Sequence, residues 1–330
     1  MNFPAMILAD LHINKKNLTE ISYLFEVEIP KRYGQYKCES IIFVGDIFHS
    51  VSVIDTEVYL TTYNLMEKLS AIIPDIYIVA GNHDMYLLDK KTPLVPTYPF
   101  NKFATIYTEP HKMIHKKTQM LEFVPWPYKP KVTTEGVTFV HGTMYDVAKY
   151  LHLEYIQESD MIHSLNPKRM YLAGHIHAPC NINNKIYSIG CPVPNRFVEG
   201  EFNNRIGILN DVPTWEYKSI LNNISSYNIL KIKSLADLTK EKVKIGEVAT
   251  WVKLKLYTAE VTSQHIREFK KDTNWKVITT REYKIAQMDS KLTATEVTTP
   301  AQVYKEFLKK AAIPQFNKNK LWKLVKKCGI

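Results

Sequence analysis

Short apolar runs alternate with amphipathic stretches through the first hundred residues of the chain. Three of the apolar runs predict buried strands, at residues 5–9, 40–44 and 75–80. Apolar residues at helical spacing predict two intervening helices, the first with Leu18, Ile21, Leu24 and Phe25 and the second with Val58, Leu65 and Leu69. Asp55 stands where it can cap the second helix. Alternation of strands and helices favours α/β layers around a sheet.

The pattern changes beyond about residue 103. Strand-like runs then dominate, at residues 121–125, 137–141, 170–173, 185–189 and 205–209. A small α+β unit is predicted from about residue 225, with strands at 227–233, 248–257 and 275–283 and a helix at 263–271. We therefore predict a main domain over residues 1–222 and a small capping domain over residues 223–290.

Residues 291–330 are predicted to form a linker and a helical tail. A polar, Thr-rich stretch at residues 288–299 precedes Thr299-Pro300-Ala301-Gln302, which combines a capping box with proline at the first helical position. Pro314 ends this helix, and a second apolar stripe leads to Gly329. Eight lysines and one acidic residue lie between positions 300 and 330. The two helices either fold back onto the small unit or lay their apolar faces into a partner protein.

Composition narrows the class of protein. The formal net charge of +10 favours polyanionic partners, although ordinary soluble proteins reach such a charge too. The four cysteines form no Cys-x-x-Cys pair, which is more typical of a reduced intracellular protein than of a disulfide framework. No segment resembles a signal peptide, and no apolar run approaches the ~18 residues of a membrane span. We expect a soluble, cytoplasmic protein without a membrane partner.

Five short segments place Asp, His and Asn directly after apolar runs. They are Asp10-Leu11-His12, Gly45-Asp46, Gly81-Asn82-His83-Asp84, His141-Gly142 and Gly174-His175-Ile176-His177. Because ligands of α/β sheets gather beyond the carboxyl ends of strands, these side chains are expected to converge. An Asp-x-His pair or a Gly-Asp turn is common by chance. All five segments in this order leave little room for a purely structural role.

The residue types point to a polynuclear metal site. A carboxylate can bridge two divalent cations, an imidazole binds a cation neutrally, and an amide oxygen ligates without adding charge. Two cations ~3.5–4 Å apart can clamp a phosphate and activate a shared water near neutral pH. Nitrogen and oxygen ligands without thiolate favour Mn, Fe or Zn over a closed structural zinc site.

The ordered set of five segments resembles the signature of the calcineurin-like metallophosphoesterase superfamily. Within it, the chain is most similar to SbcD-type nuclease subunits of the DNA double-strand-break repair complex, including bacteriophage versions. That narrower resemblance rests on residues 45–49, on Asp84 after Gly-Asn-His, and on Gly190-Cys191-Pro192 with Arg196-Phe197. Many relatives have serine where this chain has Cys191. The resemblance implies a two-sheet sandwich flanked by helices, with a capping domain and a helical tail.

The resemblance also implies roles for the strand-end residues. It assigns the first metal to Asp10, His12, Asp46 and His177, and the second to Asp46, Asn82, His141 and His175. Asp46 bridges the two cations, which are Mn²⁺ in relatives. His83 contacts the scissile phosphate and protonates the leaving oxygen or stabilises its charge, and Asp84 orients His83. Relatives act as DNA exonucleases and endonucleases and pair with a coiled-coil ATPase, here expected to bind residues 298–330. A homodimer is also possible.

Two rival functions stay open. One is a phosphatase acting on proteins or small molecules. Protein phosphatases of this superfamily, however, carry Arg soon after the second segment and Glu after Gly-Asn-His, where this chain has His49-Ser50-Val51 and Asp84. The other is a scaffold without catalysis, although such proteins usually lose a ligand. Outside the five segments, His111 and His115 suggest either a further metal site or, more plainly, a basic hairpin facing solvent or DNA.

Overall fold

The structure is a computed structural model of the chain. It describes residues 1–87, 93–115, 119–132, 134–153, 156–157, 161–163, 166–195, 205–211, 215–221, 226–242, 250–258, 260–271, 273 and 275–281. The chain divides into two compact units, Met1–Thr280 and Arg281–Ile330. The linker and the tail helices predicted beyond residue 288 lie outside the described residues. The predicted domain boundaries stay predictions.

The first sheet has the strand order β14-β13-β1-β2-β3-β6. Its strands are β1 (Ala5–Leu8), β2 (Ser40–Val44), β3 (Ile76–Val79), β6 (Thr105–Tyr107), β13 (Arg205–Asn210) and β14 (Glu216–Leu221). The first four run parallel to one another, whereas β13 is antiparallel to both β1 and β14. The three central parallel strands are buried on both faces, which explains their unbroken apolar runs.

The second sheet has the order β11-β12-β10-β9-β8-β7. Its strands are β7 (His111–His115), β8 (Gln119–Val124), β9 (Gly136–His141), β10 (Arg169–Gly174), β11 (Cys180–Ile182) and β12 (Ile186–Ser188). The central strands β8, β9, β10 and β12 are parallel, and antiparallel β7 and β11 close the two edges. β7 and β8 form the predicted hairpin. In it, Nε2 of His115 lies 2.7 Å from Oδ2 of Asp211, and among the described residues neither His111 nor His115 belongs to a group of metal-binding side chains.

The two sheets pack face to face with helices outside. Successive residues of a strand point to opposite faces. Ile7 and Ile42 therefore pack against Phe123 and Phe139 of the second sheet, whereas Phe43 joins the core beneath the helices. These helices are α1 (Leu18–Tyr23), a π-helical turn (Leu24–Glu28), α2 (Ile29–Gln35) and α3 (Thr56–Ile72). On the other side α4 (Tyr145–Tyr150) covers the second sheet. The predicted two-sheet sandwich flanked by helices is confirmed.

Local capping explains where the helices begin. The Asp55 side chain accepts a hydrogen bond from the N–H of Glu57 at 2.8 Å, so the cap predicted for α3 is confirmed. Along the chain, β3 is followed by a two-stranded sheet of β4 (Tyr86–Leu87) and β5 (Pro93–Leu94) and by a 3₁₀ turn at Tyr98–Lys102, ahead of β6. None of the helices in the described part of the chain is long and apolar enough to cross a membrane.

A small unit follows the sandwich. Its elements are β15 (Ser226–Ile232), α5 (Leu235–Lys242), β16 (Thr250–Leu256), α6 (Ser263–Lys270) and β17 (Lys276–Arg281), with the three strands in one sheet. Its own apolar core includes Ile232, Val252 and Phe269. Lys276 of β17 donates to the buried carboxylate of Glu20 in α1, which ties the small unit to the sandwich.

Candidate metal centre

The predicted ligands lie at the carboxyl ends of parallel strands from both sheets. Asp10, Asp46 and Asn82 follow β1, β2 and β3, whereas His141 ends β9 and His175 follows β10. The N–H of His175 donates to Oδ1 of Asp10 at 2.8 Å, which joins the two sheets at this edge. The strand-end segments therefore converge, as the sequence predicts.

One group of donors surrounds His12. The ligand atoms of Asp10, His12 and His177 all lie within 4.8 Å of one another. Nε2 of His12 is 2.9 Å from Nε2 of His177 and 3.3 Å from Oδ2 of Asp46. The four residues predicted to hold the first metal are thus in contact.

A second group lies on the other side of Asp46. The ligand atoms of Asp46, His141 and His175 also lie within 4.8 Å of one another. Oδ1 of Asp46 is 3.4 Å from Nε2 of His141. Oδ1 of Asn82 is 3.0 Å from the same Nε2 and 2.9 Å from Nδ1 of His175. Asp46 turns one oxygen to each group, which suits the bridging role predicted for it.

This donor set fits divalent cations. Asp10 and Asp46 are buried, and neither forms a salt bridge with a lysine or arginine of the described residues. Buried carboxylates are costly without a compensating positive charge. Two cations would supply that charge, and the mixture of imidazole, carboxylate and amide donors is one that Mn, Fe or Zn accepts.

His83 and Asp84 lie beside both groups but play different parts. Nδ1 of His83 is 2.5 Å from the main-chain oxygen of His49, and its ring centroid is 4.7 Å from that of His12. The ligand atoms of His83, His12 and Asp46 also lie within 4.8 Å of one another. Asp84 is fully buried, and its carboxylate accepts hydrogen bonds from main-chain N–H groups instead of from the His83 ring.

These N–H groups belong to two ligand loops. Oδ1 of Asp84 accepts from Ile47 at 2.9 Å, and Oδ2 accepts from Gly81 at 3.0 Å. Asp84 therefore fastens the loop after β2 to the loop after β3. The resemblance implies an orienting contact between Asp84 and the His83 imidazole, whereas the hydrogen bonds of the Asp84 carboxylate come from main-chain amides.

Several of the predicted ligands have a strained backbone. Asp10, His12, Asp46 and His175 have φ values of 54°, 43°, 55° and 89°. A residue other than glycine in this region costs on the order of 1–3 kcal/mol and persists only where its surroundings fix it. Two of the bonds that do so join neighbouring loops, from Asp10 N to Gly45 O at 3.0 Å and from His12 N to Asp46 O at 2.9 Å.

Two glycines make room for the ligands. Gly45 has φ +84°, and a Cβ there would overlap the His141 imidazole. A Cβ at Gly81 would overlap the Asp46 carboxylate. Glycine precedes both Asp46 and Asn82 because His141 and Asp46, respectively, occupy the space that a side chain would need.

All five strand-end segments fall within residues 3–200, which match the family model described as calcineurin-like phosphoesterase. The chain belongs to this family. Calcineurin-like phosphoesterases are metal-dependent hydrolases, in agreement with the donor set. Among solved structures, nuclease MPE of Pseudomonas putida is similar at 12% identity and a TM-score of 0.30, over 62% of this chain and 84% of that chain. No curated protein matches the chain in sequence.

Burial sets the protonation of this phosphoesterase centre. It lowers the pKa of His12 to about 2 and that of His175 to about 4, so both imidazoles are neutral near pH 7. It raises the pKa of Asp10 to about 6. Burial alone would also raise the pKa of Asp46, but His141, His12 and the N–H of His83 together hold that pKa below its usual range. Burial likewise opposes charge on His141, yet Asp46 raises the pKa of His141 to about 10. Cation binding at His141 would therefore release a proton.

The sequence did not reveal two sets of residues that support the phosphoesterase centre. The main-chain oxygen of His49 contacts the His83 ring. Because any residue at position 49 would supply that oxygen, the sequence cannot predict the contact. Asn14, Asn17 and Asn195 meet behind His12. Asn14 and Asn17 closely follow the Asp-x-His segment, but Asn195 is 178 positions from Asn17. Only the fold shows that the three side chains meet.

Proposed function

We propose that the chain is a two-metal-dependent DNA nuclease, with exonuclease and endonuclease activity, and the nuclease subunit of an SbcCD-like complex. The observation that carries the proposal is the placement of Asp46. Its two oxygens lie 3.3 Å and 3.4 Å from the imidazoles of two separate donor groups. A carboxylate in that position can hold two cations at the short spacing that phosphoester hydrolysis requires.

The proposed ligands of the first cation are Asp10, His12, Asp46 and His177, and those of the second are Asp46, Asn82, His141 and His175. We propose Mn²⁺ as the cation, because it is one of the metals that nitrogen and oxygen donors without thiolate accept and the one that the chain's resemblance to SbcD-type nucleases implies. When bound, the pair would polarise the phosphate and lower the pKa of a coordinated water.

The role proposed for His83 is a contact with the phosphate itself. A carbonyl oxygen only accepts hydrogen bonds, so Nδ1 of His83 carries the proton that faces His49 O. Nε2 is then the atom available to the substrate. In the imidazolium form it donates a proton toward the leaving oxygen, and in the neutral form it accepts one.

The small unit supports DNA as the substrate. The register of β15 and β16 places Lys231 directly opposite Lys255 and puts Lys253 on the same face, while the alternate residues fill the core. The three lysines thus present positive charge along one face of the sheet. Such a face can contact a row of phosphates, as backbone contacts in DNA complexes do. A small phosphomonoester would leave the face unused.

The substrate can be tested with two probes. The full-length chain with Mn²⁺ is expected to degrade an end-labelled linear duplex and to hydrolyse p-nitrophenyl phosphate weakly. The matched control is Asp46→Ala, which is expected to do neither and so excludes a contaminating nuclease. Efficient hydrolysis of the monoester with an intact duplex would support the phosphatase instead. A wild-type chain that binds Mn²⁺ but cleaves neither probe would support the scaffold.

The proposed partner is a coiled-coil ATPase that binds residues 298–330, with the chain itself a monomer or homodimer. The apolar stripe of that segment includes Phe307 and Leu324 and is large for a tail attached through polar residues. Deleting residues 298–330 is expected to spare Mn²⁺-dependent cleavage and abolish co-purification with the ATPase. A truncated chain that still binds the ATPase, or one that unfolds, would contradict this assignment.

A further inference from the structure

Three asparagines meet behind the loop that carries His12. Nδ2 of Asn17 and Nδ2 of Asn14 both donate to Oδ1 of Asn195, at 2.8 Å and 3.0 Å. The same two amides donate to the main-chain oxygen of His12, at 3.2 Å from Asn17 and 2.7 Å from Asn14. Asn17 also donates to the oxygen of Leu11 at 3.3 Å. Asn17 is only 1% exposed, so these bonds are shielded from water.

The loop is thus held from two sides. Its N–H groups donate to the neighbouring ligand loop, from Asp10 to Gly45 O, from His12 to Asp46 O and from Ile13 to Ile47 O, at 2.8–3.0 Å. Its oxygens at Leu11 and His12 accept from the asparagines. Because His12 has φ 43°, its backbone needs such bonds to stay in place.

Asn195 connects this loop to the segment that carries His177. That segment is folded back on itself, since the N–H of Cys191 donates to the main-chain oxygen of His177 at 3.4 Å. The asparagine cluster, Asn14, Asn17 and Asn195, therefore joins the loops of His12 and His177, whose Nε2 atoms are 2.9 Å apart. Among the described residues, the side chains of Asn14 and Asn17 make no hydrogen bond to Asn82, His141 or His175.

We infer that Asn14, Asn17 and Asn195 are positioning residues for the first cation of the centre, and that their loss selectively weakens the binding of this cation. The inference rests on the metal centre of the proposed function. Replacing a residue that orients a metal ligand typically lowers the metal affinity by about 10–100-fold. The cluster acts through the main chain of His12, so the second cation should keep its affinity.

The test is Mn²⁺ binding by calorimetry and electron paramagnetic resonance on full-length variants. Asn195→Leu removes the oxygen on which both amides converge, whereas Asn195→Asp keeps an acceptor there. Asn195→Leu is expected to weaken one of two Mn²⁺ sites by about tenfold or more. Asn195→Asp and the surface control Asn181→Leu are expected to bind two Mn²⁺ as the wild type does. The Mn²⁺ concentration for half-maximal cleavage should rise in Asn195→Leu, while kcat at saturating Mn²⁺ is retained.

A second variant covers a failure of Asn195→Leu to fold. Asn14→Asp keeps the oxygen that accepts from Lys16 N at 2.8 Å but replaces the amide that donates to His12 O. Asn14 is half-exposed. The variant should therefore fold, and it should show the same selective loss of Mn²⁺ affinity at one site. Equal weakening of both sites, or two unchanged sites in both asparagine variants, would overturn the inference. A wild-type chain that binds no Mn²⁺ would instead overturn the proposed function.

Discussion

Nδ1 of His83 lies 2.5 Å from the main-chain oxygen of His49. The bond fixes the ring of His83, which belongs to neither of the two proposed ligand sets, and it leaves Nε2 as the ring nitrogen that can meet a substrate. Because the acceptor belongs to the main chain, the contact does not depend on the side chain at position 49. A catalytic imidazole held in this way keeps one tautomer through substrate binding.

Replacing His83 should separate catalysis from metal binding. His83→Ala removes a contact with the phosphate and no proposed ligand, so we expect cleavage to fall by roughly 10²–10⁴-fold with two Mn²⁺ still bound. Single-turnover cleavage and metal analysis of the same sample measure both. Asp46→Ala should lose metal and activity together. If His83→Ala binds fewer than two Mn²⁺, then His83 is a ligand, as its distance to His12 and Asp46 would allow.

We expect the buried Asp84 carboxylate to stabilise the folded chain through its hydrogen bonds to main-chain N–H groups. Asp84→Asn turns an amide donor toward the N–H of Gly81 or Ile47, so a buried hydrogen bond is lost, at a cost of about 1–3 kcal/mol. Urea unfolding measures it. The control Asp55→Asn replaces a helix cap with an equally good one and should change little. Equal effects of the two substitutions would mean that the Asp84 bonds to the loops add nothing.

The sequence predicted the centre better than it predicted the surrounding elements. Asp10, Asp46 and His175 could be placed together because parallel strands deliver their ends to one edge of a sheet. Helix α4 was instead read as part of a strand-rich region, because its six residues are too few for a periodic signal. The partners of Asp84 were missed because main-chain donors carry no identity in the sequence.

Gly45 offers a test of the space around the second donor group. Gly45→Ala adds a Cβ that overlaps the His141 imidazole at φ +84°. We expect lower thermal stability and loss of one Mn²⁺ site, measured by calorimetry. Gly34→Ala is the matched control, since a Cβ there meets nothing within 4 Å and alanine favours its helix. Two intact Mn²⁺ sites in Gly45→Ala would show that His141 can move without losing a cation.

A buried ionic network should hold the second sheet together. Arg169 is fully buried, and its guanidinium donates to Thr138 Oγ1 at 2.6 Å and to the oxygens of Met120 and Val137 at 2.9 Å and 2.8 Å. Glu122 lies 4.0 Å away. Arg169→Met leaves that carboxylate without its partner and should cost about 3–5 kcal/mol.

The double variant Arg169→Met with Glu122→Gln removes both charges. It should recover part of the loss in urea unfolding, because Gln can still accept from Lys131 N, which lies 2.9 Å from Glu122 Oε1. If the free-energy loss of the double variant equals the sum of the losses of the two single variants, the charges of Arg169 and Glu122 are not coupled.

The lysine face of the small unit makes the sharpest prediction about the substrate. Each lysine that contacts a phosphate releases a counterion, so log K for duplex DNA falls with log salt by about 0.9 per contact. Lys231→Gln with Lys255→Gln should therefore reduce this slope by nearly two and leave p-nitrophenyl phosphate hydrolysis unchanged, because neither lysine lies on a ligand loop. The control Lys68→Gln changes a lysine of α3 that pairs with Glu26 and should leave the slope as it is. Fluorescence anisotropy at several salt concentrations gives the slopes. An unchanged slope in the double variant would place DNA on another surface, because the charge removed would then have met no phosphate.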